Sequence, residues 1–173
     1  MRADRLALRQ EHPLLARLTY GEHAMIRTYM GVLRHAEYWS HQKGLLAKVP
    51  YYCYLLRYRR LCLKSGMYVA LDSVGKGFCI EHPGFLRVDS FCRVGDRCTI
   101  LPMVLMGKKK PDLQDFQIVV GDDCYIGTGA TILGPVRIGH NVTIAAGAVV
   151  LHDVPDNAVV AGVPAKIVKI VGG

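Results

Sequence analysis

Glu81 and His82 set a carboxylate directly before an imidazole, and Pro83-Gly84 follows at once. An imidazole titrates near neutrality, so a positioned one can take a proton from an attacking hydroxyl and hand it on to a leaving group. A histidine at a turn beside an acid also occurs as a purely structural, solvated residue. The six other histidines are weaker candidates. His12, His23, His35 and His41 fall in a helical region, and His140 and His152 lie at or near turns.

His82 owes its place to a repeat. Val120, Ile126, Ile132, Ile138, Ile144 and Val150 recur at strict six-residue spacing, with Gly or Ala commonly next, two turn-forming residues after that, and a small or β-branched residue fifth. That period fits neither an amphipathic helix nor an alternating strand; it fits a short strand and a turn repeated around a polygonal coil. Gly supplies positive φ at such corners, and Asn and Asp tolerate it. Extended backwards, the register recurs at Val74, Ile80 and Leu86, then at Val94, Ile100 and Met106, which makes His82 the third residue of a hexad and places it at a turn. Eight residues separate Leu86 from Val94, so two bulge out. Fourteen separate Met106 from Val120, leaving one hexad plus eight residues, or two hexads plus two. The intervening 107–119 is polar and carries Pro111, as a loop leaving the coil should, and solenoids map their insertions onto a binding face.

Residues 1–66 read as an α-helical N-terminal region and 67–173 as a β-solenoid with a protruding loop at 107–119. Apolar residues spaced three and four apart predict a helix from Tyr20 to Lys43, closed by Gly44. Pro50 lies near the start of a second, which runs to about Lys64 and stops at Ser65-Gly66. The formal net charge is +8, and all of the excess is N-terminal: residues 1–66 hold twelve Lys and Arg against four Asp and Glu. The run Tyr51-Tyr52-Cys53-Tyr54-Leu55-Leu56-Arg57-Tyr58-Arg59-Arg60 reads as a basic amphipathic helix, its aromatics on the solenoid and its arginines toward water or an anionic partner. It lacks the defined recognition element that nucleic-acid binding needs. Six cysteines without C-x-x-C spacing or a neighbouring zinc-ligand histidine read as buried thiols, with Cys98 and Cys124 in fifth places of hexads. No apolar stretch approaches a membrane span, and none forms a signal core, so a cytoplasmic protein is expected.

Three stretches together resemble the hexapeptide-repeat acyltransferases, in their serine acetyltransferase-like branch. These are Gly75-Lys76-Gly77-Phe78-Cys79-Ile80-Glu81-His82, the hexads after Val120, and the ending Ala161-Gly162-Val163-Pro164-Ala165-Lys166. The resemblance implies a left-handed parallel β-helix and a homotrimer or dimer of trimers. Active sites would lie between subunits, with acetyl-CoA as co-substrate and no metal. It implies His82 as general base toward a hydroxyl of L-serine or of a saccharide, with Glu81 as the neighbouring acid that helps hold the acceptor. Gly127, Thr128, Ala145 and Ala146 would let the pantetheine arm approach the backbone, and Lys166 would meet the CoA phosphates.

Two positions depart from the family pattern. The acid that orients the family's histidine would fall at Met67, which has no carboxylate; Asp72, Asp89 or a backbone carbonyl would have to replace it, since a general base needs a partner to hold its tautomer. Residues 107–119 also lack the family's Arg-His pair and offer Lys108–Lys110, Asp112 and Asp115, with the two aspartates the candidates to bind the acceptor. A non-catalytic trimeric scaffold that binds an acidic partner is the alternative. A zinc site built from His82, His140 and His152 does not match the spacing of hexapeptide carbonic anhydrases.

Overall fold

A computed structural model describes residues 21–110, 112 and 117–172. Two antiparallel-packed helices precede a stack of coils. Helix α1 spans Glu22–Ser40 and α2 spans Leu45–Ser65. Gly66, at φ 72°, closes α2 and donates its N–H to the Cys62 carbonyl at 2.9 Å, the left-handed stop expected there. Pro50 is the exception to expectation. It lies inside α2, which begins five residues earlier, after Gly44 at φ 105°.

Each coil contributes one short strand to each of three parallel sheets. The first sheet holds β1 (Met67–Val69), β3 (Leu86–Val88), β6 (Val104–Lys108), β9 (Thr131–Gly134) and β12 (Val149–Val150). The second holds β4 (Cys92–Val94), β7 (Ile118–Val120) and β10 (Val136–Ile138), extended by bridges from Val74 and Val154. The third holds β2 (Cys79–Ile80), β5 (Thr99–Ile100), β8 (Tyr125–Ile126), β11 (Thr143–Ile144) and β13 (Ala158–Ala161), with β14 (Lys166–Ile170) added antiparallel at its end. Partners lie 18 residues apart at Leu86↔Val104 and Thr131↔Val149, three hexads per turn, but 26 apart at Leu105↔Thr131 and Cys92↔Ile118. The insertion is therefore eight residues added to one coil, which leaves one hexad plus eight between Met106 and Val120.

The hexad aliphatics point inward and stack. Ile80, Ile100, Ile126 and Ile144 are all essentially inaccessible, as are Cys98 and Cys124 in fifth places. Burying each such side chain contributes roughly 1.5–3 kcal/mol. Corner glycines such as Gly77, Gly129 and Gly147 do carry positive φ, as do Asp72, Arg97, Asp123, Asn141 and Asn157. The glycines directly after the aliphatic positions serve another purpose. At Gly121 the requirement is space: a Cβ would lie 2.7 Å from the carbonyl of Gly139 on the next coil. Coils about 4.8 Å apart leave no room for it.

The corner between the second and third sheets is tied by a ladder of side chains. Asp96 accepts from the Lys76 amide at 2.7 Å, Asp122 from the Asp96 amide at 2.8 Å, His140 Nδ1 from the Asp122 amide at 3.0 Å, and Asp156 from the His140 amide at 2.7 Å. His140 is thus a structural rung.

The helices cover the first coil, whose β1 would otherwise be an open edge. The Val69 amide donates to the hydroxyls of both Tyr29 (3.1 Å) and Tyr58 (3.0 Å), which are themselves 2.9 Å apart. Burial pushes both phenols far above their ordinary titration range. Arg34 donates to the carbonyls of Val74 and Gly75 and pairs with Glu37 at 2.9 Å, while Glu37 accepts from the Asp72 amide at 2.9 Å. Met67 lies wholly buried beneath this cap.

Candidate active site

His82 follows β2 at the corner where the third sheet turns into the first, and both it and Glu81 are exposed. The backbone places them. The Glu81 amide donates to the Ile100 carbonyl of the next coil at 3.1 Å, and Pro83-Gly84 then bends the chain into β3.

Among the described residues, one carboxylate touches the imidazole. Glu22 Oε2 lies 3.1 Å from His82 Nδ1. Glu22 is the first residue of α1, so the helix that caps the first coil also delivers an acid to its corner. Neither aspartate suggested by the sequence does this. Asp72 pairs with His41 Nε2 at 3.0 Å, and Asp89 is held by Arg87 at 2.9 Å. Glu22 went unnoticed because an acid in a helix's first turn is common there simply to complement the helix dipole.

With Nδ1–H donated to Glu22, the ring's Nε2 keeps its lone pair and is left to accept a proton. The pair is open to solvent, with side-chain exposures of 54% for His82 and 60% for Glu22, so its energetic worth as an ion pair is small and its value is orientational.

The same corner collects the residues expected to border the acyl donor. Down it run the bonds Leu101 N–H to Ile126 O (3.0 Å), Gly127 N–H to Ile144 O (2.8 Å) and Ala145 N–H to Val160 O (2.9 Å), in line with that of Glu81. Gly127 and Ala145 are therefore two and three coils along the edge from Glu81. Thr128 and Ala146 are exposed beside them, and the Thr128 hydroxyl donates to the Pro102 carbonyl at 2.8 Å. Gly127 is small because of the stacking itself, since a Cβ there would lie 2.6 Å from the Ala146 amide. Lys166 is exposed at the start of β14, against Ala161 at the far end of the stack.

The acceptor candidates lie elsewhere. The loop leaves the coil after β6, at the corner between the first and second sheets, and Asp112 is exposed on it; Asp115 lies outside the described residues. Lys109 ties the loop's base down, its ammonium donating to the Leu151 carbonyl and its amide to Gly134 O at 3.2 Å. Within one chain, the loop and His82 thus occupy different corners. A groove of about 280 Å³ lies beside the loop's return, lined by Gln117, Val119, Pro135, Val136, Arg137 and Asp153 on the second sheet. It is on a different face from His82. His82, His140 and His152 sit at three different corners, and among the described residues no three His, Cys, Asp or Glu side chains cluster as metal ligands.

Residues 117–152 match the bacterial transferase hexapeptide (six repeats) family. The chain is 34% identical over 96 residues to a serine acetyltransferase of Bacillus subtilis, across 56% of its own length and 44% of that protein's. It is 37% identical over 98 residues to serine acetyltransferase 4 of Arabidopsis thaliana, across 57% and 28%. It thus spans less than half the length of these curated relatives. Among solved structures, the serine acetyltransferase of Neisseria gonorrhoeae superposes with a TM-score of 0.75 at 27% identity, covering 99% of this chain and 66% of that one. The serine acetyltransferase of Brucella abortus strain S19, solved in complex with coenzyme A, gives 0.76 at 28% identity, covering 99% and 67%. The hexads, the parallel coils beneath two capping helices and these likenesses converge on one resemblance, to the serine acetyltransferases.

Proposed function

We propose that this chain is an acetyl-CoA-dependent O-acetyltransferase that moves an acetyl group to a hydroxyl of L-serine or of a saccharide. The observation that carries the reading is the corner column. His82, held at Nδ1 by Glu22, stands on the same edge as Gly127, Thr128, Ala145 and Ala146.

His82 Nε2 removes the acceptor hydroxyl's proton as that oxygen attacks the thioester carbonyl carbon. The carbon–sulfur bond breaks, and the imidazolium returns the proton to the departing CoA sulfur. Glu22 holds the tautomer and steadies the imidazolium, the part an acid plays in a histidine-based triad. Glu81, on the same turn, helps hold the acceptor, and Lys166 meets the CoA phosphates. The coil is left-handed, and the chain works as a homotrimer. A neighbouring subunit's loop then brings Asp112 to the His82 corner, which the chain's own loop does not share. The scaffold alternative rests on Met67, and the Glu22 contact weakens it by supplying a carboxylate.

The test is thiol release from acetyl-CoA with a panel of serine, related amino acids and sugars. Release that depends on one acceptor and is lost in His82→Ala is expected. Release unchanged in His82→Ala, or no binding of acetyl-CoA by calorimetry, overturns the reading.

A further inference from the structure

Helix α2 is apolar on two opposite sides. Ala47 and Tyr58 are buried, with Tyr54, Leu61 and Cys62 packed beside them on the protein core. No described residue covers the outward side. Leu45, Val49, Tyr52, Leu56 and Leu63 recur at intervals of four, three, four and seven, a stripe only about 60° wide on a helical wheel. They are strongly exposed, Leu45 at 79%, Val49 at 66% and Leu63 at 88%, and Leu46 beside them is at 89%. An apolar helix face is normally buried against a partner.

Charge narrows what can cover the stripe. Exposed Lys48 and Arg59 flank it on one side and Arg57 and Arg60 on the other, and α2 contains no Asp or Glu. Two copies joined along it would set arginine against arginine with no carboxylate between them. An anionic interface satisfies both halves of the pattern: the leucines enter the apolar layer while the Lys and Arg stems reach sideways to phosphates. No helix among the described residues is long and apolar enough to span a membrane.

We propose that the outward face of α2 is a docking surface for anionic phospholipid, laying the helix in the headgroup plane with the coils standing away from it. This does not depend on the acyltransfer reading.

The experiment is co-sedimentation of the full chain with vesicles of phosphatidylcholine alone or mixed with phosphatidylglycerol. Binding only to the mixed vesicles, released by salt, is expected. Arg59→Gln/Arg60→Gln should weaken it about thirtyfold, at about 1 kcal/mol per cation, and Leu56→Gln/Leu63→Gln should abolish it with circular dichroism unchanged. Absence of binding, binding indifferent to lipid charge, or binding unaltered in both variants overturns the proposal. So does a fall in mass by light scattering in the leucine variant when the unsubstituted chain binds no vesicles, which would assign the stripe to a contact between copies.

Discussion

The Glu22 carboxylate meets His82 Nδ1 at 3.1 Å across sixty residues of sequence. Met67, where the resemblance in the sequence leads one to expect an acid, is sealed in the core with no accessible surface. The carboxylate thus comes from the capping helix instead of the coil, and catalysis in this chain would depend on how α1 docks.

That relationship predicts a graded series. His82→Ala should lower turnover by about 10²–10⁴-fold, the usual contribution of a general base. Glu22→Ala should cost more than Glu22→Gln, because the Gln carbonyl can still accept the Nδ1 proton. Both partners are solvent-exposed, so thermal midpoints should not move. Wild-type turnover in both Glu22 variants, measured as thiol release, would remove Glu22 from the mechanism.

A second histidine offers a pH test. The hydrogen bond and charge of Asp72 raise the titration of His41 above its ordinary value of 6.5. A raised folded value means that the contact stabilises fully below the unfolded value and is lost as pH rises through the folded one. Proton NMR should show a His41 midpoint above 6.5 that falls back toward it in Asp72→Asn.

Two glycine substitutions should have opposite signs. Gly121→Ala forces a Cβ to 2.7 Å from the next coil's backbone and should destabilise by about 1–3 kcal/mol or more. Gly31→Ala lies inside α1 with nothing within 4 Å of the new atom and should stabilise by roughly 0.5–1 kcal/mol. Chemical denaturation would measure both.

The thiols should separate by location. Burial pushes the Cys92 thiol up to about 12, and Cys79, Cys98 and Cys124 are buried as well. Cys53 is exposed on α2. A thiol reagent at mildly alkaline pH should label Cys53 in the native protein and reach those four only on unfolding, since the thiolate is the reactive form. Fast labelling of Cys92 in the folded chain would contradict the packing.

The coil was legible because its code is local. An aliphatic residue every sixth position stacks on its counterpart three hexads later, so Ile126 and Ile144 announce their contact by spacing alone. Gly66 was legible for the same reason, as a stop acts on its own helix end. Pro50 was not. Packing of Ala47 and Tyr58 carries α2 through a residue that propensity would place at its edge. Nor was the clearance that Gly121 provides, because it is a distance between segments.

By itself, then, the sequence determined the solenoid, its interruption after Met106 and the presence of Glu81-His82 at a turn, since each follows from periodicity along the chain. The tertiary structure decided which acid serves His82, on which corner the small residues and the loop fall, and which side of α2 is left uncovered. These depend on how helices pack across the first coil. That packing is set by burial and by contacts such as Tyr58 to Val69 and Arg34 to Val74, made between residues whose separation in the chain carries no period.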